Sequence, residues 1–124
     1  MKNLTSLLFI ILIISSCSSV PKTSNNTVKS NQITLSNGVI IKGGDGSSYK
    51  KAKIIIAKNS TIGIRSEYEY LEKTYGKRGV DWMFIQQSLN YKNNKPYDVL
   101  KIQLVKTNKV KDVYFEISSF FGKF

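Results

Sequence analysis

The segment "WMFIQQSLNYKNNKPYDVLKIQLVKTNKVKDVYFEISSF", residues 82–120, decides the fold. It is rich in β-branched and aromatic residues and alternates apolar with polar, and two asparagine-containing breaks interrupt it, so it reads as three antiparallel strands. A turn at Asn93-Asn94 sets Met83 against Leu104 and Ile85 against Ile102. A second turn at Asn108-Lys109 sets Leu104 against Val113, Ile102 against Phe115 and Leu100 against Ile117. Both turns select the same buried face. Lys101 then falls opposite Glu116 on the other face, a favourable cross-strand pair. Slipping the register by one residue breaks every match.

Upstream, "NSTIGIRSEYEYLEKTYG" (59–76) reads as the only helix. Ile64, Tyr68, Leu71 and Tyr75 form an apolar stripe at spacings of 4, 3 and 4. Asn59 or Ser60 serves as N-cap and Gly76 as C-terminal glycine cap. Glu67, Glu69 and Glu72 fall mostly off the stripe and read as a solvated face rather than an acid cluster. "ITLSNGVIIK" (33–42) reads as a hairpin with Asn37-Gly38 in a two-residue turn. Ile54, Ile55 and Ile56 in a row suggest a strand covered on both faces. The expected fold class is therefore α+β: a small antiparallel sheet of about four strands plus an N-terminal hairpin, packed on one face by a single helix.

The chain has 124 residues, enough for one small domain. The first sixteen residues are set apart. Lys2 precedes the uninterrupted apolar run "LLFIILII" (7–14), too short for a spanning helix of roughly 20 residues and matching a secretory signal. "ISSC" (14–17) resembles a bacterial lipobox. That resemblance implies a diacylglyceryl thioether on Cys17, cleavage before it and acylation, palmitate included, of the new amino end. The expected division is signal peptide 1–16, lipidated cysteine and flexible tether 17–32, and one domain 33–124. The tether "SSVPKTSNNTVKSNQ" (18–32) is polar, with a root-mean-square reach on the order of 20 Å. Ser18 rather than aspartate follows Cys17, which by the sorting rule of some bacterial lipoproteins implies an outer-membrane anchor facing the periplasm.

Composition removes several chemistries. Cys17 is the only cysteine and histidine is absent, so the domain has no disulfide, no thiolate nucleophile and no histidine base. No metal site or cofactor is expected. A Ser-Lys dyad built from Ser47 or Ser48 with Lys50 or Lys51 needs a desolvated lysine, which a loop on a charged surface does not supply. Asp98 and Asp112 fall on opposite sheet faces and do not form a carboxylate pair. The expectation is a non-enzyme, with a small envelope hydrolase as the remote alternative.

The net charge of +11 comes almost wholly from lysine and favours anionic partners. For an exported chain these are an envelope protein or an anionic envelope polymer; nucleic acid is excluded by compartment. Two candidate sites follow. One is the sheet face opposite the helix, expected to carry Trp82, Phe84, Tyr97, Lys101 and Tyr114. The other is the loop "GGDGSS" (43–48), where Asp45, Ser47, Ser48, Lys50 and Lys51 would make at most a weak anion nest. A strand rather than a helix follows it, and the phosphate-loop ending is absent, so it reads first as a connector. The strings "DGSSYKKAKIII", "EYEYLEKTYG", "QSL", "KPYDVL" and "YFEISSFFGK" resemble a family of short exported bacterial proteins of unknown function. The resemblance covers residues 43–123 and implies no activity, ligand or catalytic residue. The overall expectation is a membrane-tethered interaction module, with an inhibitor or immunity-type protein of a secreted enzyme as alternative.

Overall fold

A computed structural model describes residues 32–124. The signal peptide, Cys17 and the tether up to Asn31 lie outside the described residues. The elements run β1 (Ile33–Thr34), β2 (Ile40–Gly43), β3 (Lys53–Ile56), α1 (Ser60–Tyr75), β4 (Trp82–Lys92), β5 (Lys95–Leu104) and β6 (Lys109–Glu116). They form one helix on a mixed sheet of six strands in the order β1-β2-β3-β6-β5-β4. The expected α+β class holds, but the small antiparallel sheet does not. The N-terminal hairpin joins the main sheet, and β3 pairs in parallel with β6 through Lys53–Phe115 and Ile54–Glu116. The physical reason is the route of the chain: α1 carries it from β3 across the sheet to the far edge at β4, and the β4-β5-β6 meander brings it back beside β3.

The helix begins and ends where its caps predict. Asn59 accepts from the Ile62 amide at 3.0 Å, and Gly76, at φ 97°, donates to the Glu72 carbonyl. Its buried stripe is rotated from the expected one. Gly63, Ser66, Glu67, Tyr70 and Leu71 face the sheet, whereas Ile64 is 41% exposed. The cause is the C-terminal turn, which seats Phe120 against Gly63 and so takes the glycine side of the helix as its packing surface.

The first and last hairpins depart from their expected register. At the first, Leu35 N–H donates to the Val39 carbonyl, and Ser36-Asn37-Gly38 make a three-residue loop with Gly38 at φ 77°. Such a loop is a type I turn ending in a left-handed glycine, and it buries Leu35 and Val39. At the last, the loop spans residues 105–108, and Leu104 pairs with Lys109 rather than Val113. The shift is four residues. An even shift preserves the faces, so Leu100, Ile102, Val113, Phe115 and Ile117 still share the core. It changes the partners: Lys101 lies 3.9 Å from Asp112, and Glu116 lies 3.9 Å from Lys95.

The Asn93-Asn94 turn is as expected, with both residues at positive φ. Its register holds from Lys92–Lys95 to Gln86–Lys101, and a bulge at Ile85 then shifts it by one. Beyond the bulge Trp82 and Phe84 turn toward the helix, and Met83 and Ile85 turn out. All four positions are apolar, so either register offers apolar residues to the core. Burying the two aromatic rings removes more apolar area from water. Trp82 is fully buried, and its Nε1–H donates to the Gly76 carbonyl at 2.8 Å, tying the helix end to β4.

β3 is covered on one face only. Ile55 is buried, Ile54 is half-buried and Ile56 is exposed. Lys53, on the helix side, is buried over the Tyr70 ring at 5.2 Å. Burial lowers its pKa, and Asp45 offsets part of that fall.

Candidate functional site

The bulge divides the expected aromatic face. Trp82 and Phe84 belong to the core side, where the Arg78 guanidinium stacks over both and over Tyr68. They are not available on the outer face. Tyr97, Lys101 and Tyr114 do lie there, with Val99, Gln86, Ser88 and Asn90 as same-face neighbours.

The glycine loop brings the two predicted sites together through a residue that neither contained. Gly43 and Gly46 take positive φ, and the Gly46 carbonyl accepts from the Tyr114 amide at 2.9 Å, which folds the loop over β6. Tyr49 at its tip meets Tyr97 and Tyr114 edge to face, at 5.2 and 4.8 Å between ring centres. This geometry is favoured by the ring quadrupoles. The tyrosine cluster separates two recesses. The larger, about 510 Å³, is lined by Tyr49, Lys50, Lys92, Lys95, Tyr97 and Glu116 among others. The smaller, about 190 Å³, is polar and includes Gln86, Ser88, Asn90, Lys101 and Asp112.

Of the five loop candidates only Lys50 lines the large cleft. Asp45 accepts from both the amide and the hydroxyl of Ser47, which hold its pKa below the usual carboxylate value. Ser48 Oγ accepts from the Lys51 amide. These bonds close the loop on itself, as a connector requires.

Lys92 and Lys95 join the site, and the sequence carries a signal for them. A two-residue turn at Asn93-Asn94 places them directly opposite each other. Like charges so placed repel. Glu116 is close to Lys95 alone, at 3.9 Å. The cleft thus gathers three ammonium groups, two tyrosines and one carboxylate from the glycine loop, β4, β5 and β6. Its lysines at 50, 92 and 95 are exposed, Tyr49 is half-buried, and Tyr97 is buried behind it as the wall of the cleft.

A second polar feature lies on the helix side. Glu67, expected on the solvated face, is 0% exposed. Neither of its oxygens has an N–H or O–H donor beside it. Its polar neighbour is the buried Asp98 carboxyl, an acceptor when ionised. Two acceptors bond only by sharing a proton, and Glu67 holds it. Burial, then the Asp98 charge and hydrogen bond, push its pKa up to about 10. Burial also raises Asp98, while hydrogen bonds from Glu67 and Gln87 pull it down. Gln87 accepts in turn from the Tyr68 hydroxyl at 3.3 Å. The pair sits between α1 and β5, with Glu67 fully buried and Asp98 recessed in a surface groove.

Asp98 and Asp112 lie on opposite faces, with Leu100 and Tyr114 respectively. Among the described residues no group of three or more histidine, cysteine, aspartate or glutamate side chains is placed to hold a metal ion. None of their helices is long and apolar enough to cross a membrane. Comparison with protein-family models, with curated proteins and with solved structures finds no match, so the reading of the cleft rests on its own chemistry.

Proposed function

We propose that the chain is a lipid-anchored envelope protein that binds an anionic envelope polymer, without catalysing a reaction, in the cleft between the glycine loop and the β4–β5 turn. The observation that carries this reading is the convergence of Lys50, Lys92 and Lys95 on Tyr49 and Tyr97. Lysine is a flexible point charge suited to anions of varied spacing. Tyrosine supplies a flat apolar body with a polar tip, suited to a sugar ring. A polymer of phosphorylated or carboxylated sugars presents both complements. The anchor is supplied by Cys17 in the lipobox and the basic surface by the lysines, and the domain stands on the periplasmic side of the outer membrane.

Two experiments test the proposal. Cys17→Ser moves the protein from the membrane to the soluble fraction and abolishes palmitate incorporation; unchanged fractionation rules out the lipid anchor. For the cleft, the chain from Ser18 onward is titrated with a purified anionic wall polymer or lipopolysaccharide core. Lys50→Glu with Lys95→Glu is expected to weaken binding by about tenfold or more, each tenfold step being about 1.4 kcal/mol. Lys106→Glu with Lys109→Glu, an equal charge change at the opposite sheet end, leaves binding within about twofold. Equal losses from the two pairs show attraction by overall charge alone and dispose of the cleft.

A further inference from the structure

We infer that the exposed apolar rim on the helix side of the sheet is a docking surface for an anionic lipid bilayer. The inference rests on the lipid-anchor reading for its partner, and concerns a face that the polymer cleft does not use.

The rim is built from three elements. Ile64 comes from α1, Leu89 from β4, and Phe121 and Phe124 from the C-terminal turn; all four line one groove of about 350 Å³. Tyr91 extends it along β4, its ring meeting Phe121 edge to face at 5.9 Å. These five side chains are between 41% and fully exposed, although Phe120 beside them is buried. A folded chain with this much basic surface has no stability reason to leave so many large apolar groups in water on one side.

Charge identifies the occupant. Two cations adjoin the rim in sequence: Arg65 after Ile64 on α1, and Lys123 between Phe121 and Phe124 in the C-terminal turn. Both are exposed. Apolar side chains flanked by an arginine and a lysine match a layer of anionic headgroups over acyl chains. The carboxyl in the groove, Asp98, is recessed and buried. A second copy of the chain is the poorer occupant, because two such strongly basic chains repel each other. The chain's own N-terminal tether is poorer still. Residues 18–32 offer only Val20 and Val28 as aliphatic side chains.

The attachment point adds to this. From Cys17 to Ile33 the chain spans at most about 55 Å when fully extended. A lipid on Cys17 therefore keeps the rim close to the bilayer, and even a weak surface affinity is then realised. The polymer cleft lies on the other face of the sheet, so docking by the rim leaves the cleft turned away from the membrane.

The test uses the chain from Ser18 onward, which contains the whole folded domain and has no anchor. It is sedimented with vesicles of phosphatidylethanolamine and phosphatidylglycerol, and with vesicles of phosphatidylcholine alone. The expected result is binding to the anionic vesicles only, weakened about tenfold or more by Leu89→Ser, Phe121→Ser and Phe124→Ser together, as by Arg65→Glu with Lys123→Glu. Circular dichroism and buried Trp82 fluorescence confirm that the variants are folded. The serine variant keeps its polymer affinity, so failure of the rim and failure of the cleft are told apart. Absence of binding to anionic vesicles, or binding that the serine substitutions leave unchanged, overturns the proposal. A dimer of the Ser18 chain that the same substitutions disperse overturns it in favour of a second copy.

Discussion

Alanine at Gly63 is expected to destabilise the domain by about 2–4 kcal/mol. On helix propensity alone the same change would stabilise by about 1 kcal/mol, since glycine is a poor helix former. The packing decides the sign. A Cβ at position 63 would stand 2.5 Å from three atoms of the Phe120 ring. That ring is 1% exposed and its backbone is held: Phe120 N–H donates to the Ile117 carbonyl, and its own carbonyl accepts from Ser60 Oγ at 3.0 Å. The ring has little room to yield, so it is expelled and its burial is lost. Phe120→Ala on its own is expected to cost about 3–5 kcal/mol. The decisive comparison is the double variant. With the ring gone, alanine at 63 fills space and brings its propensity gain, so Gly63→Ala becomes neutral or stabilising in the Phe120→Ala background. Thermal unfolding of the four proteins measures this, at about 4–8 °C per kcal/mol for a domain of this size. Additive losses would mean that the ring does not pack on Gly63.

The second large effect concerns Glu67 and pH. Its carboxyl ordinarily titrates near 4.5 and in the folded protein is pushed up to about 10. Between those limits the folded state holds a proton that the unfolded chain has released. Stability is therefore fully present below the lower value and falls as pH rises toward the upper, by at most about 1.4 kcal/mol per pH unit for one proton. Asp98, raised by burial, works in the same direction. Glu67→Gln keeps a donor facing Asp98 and has no proton to lose. The variant is expected to match the wild type near about pH 5 and exceed it by about 1–3 kcal/mol near about pH 8, with a flatter profile between. Denaturant unfolding across that range checks it. A Glu67→Gln variant weaker than the wild type at every pH, with the same slope, would show that Glu67 is ionised and paired in the folded state.

The sequence specifies structure legibly where the chemistry is local. Asn59 and Gly76 bound the helix because caps act within four residues of the groups they satisfy. The Asn93-Asn94 turn was legible because two adjacent asparagines tolerate positive φ. The losses came where a choice depends on distant groups. Period-two alternation identifies a face but is blind to an even slip, so the last hairpin kept its core and exchanged its partners. The run Trp82-Met83-Phe84-Ile85 offers apolar residues to both faces, and only the helix and Gly76 above it decide that tryptophan goes in. Glu67 was read as solvated because its type favours water; the protonated pair with Asp98 requires a strand roughly thirty residues away in the chain. The same limit applied to the site. Tyr97, Lys101 and Tyr114 were placed on the outer face by alternation. Tyr49 joined them only because the Gly46 carbonyl pins its loop to β6.

The measurement that tests the proposed function most directly is a titration of the isotope-labelled chain from Ser18 with the anionic envelope polymer, followed by amide chemical shifts. Saturable binding in the cleft predicts shifts concentrated at residues 49–52, at 92–97 and around Glu116, the segments that line it. The shifts should persist at about 0.15 M salt, where attraction between separated exposed charges is largely screened. Shifts spread evenly over the lysines of the whole surface, and lost at that salt, would contradict a site and leave only a basic protein near an acidic polymer.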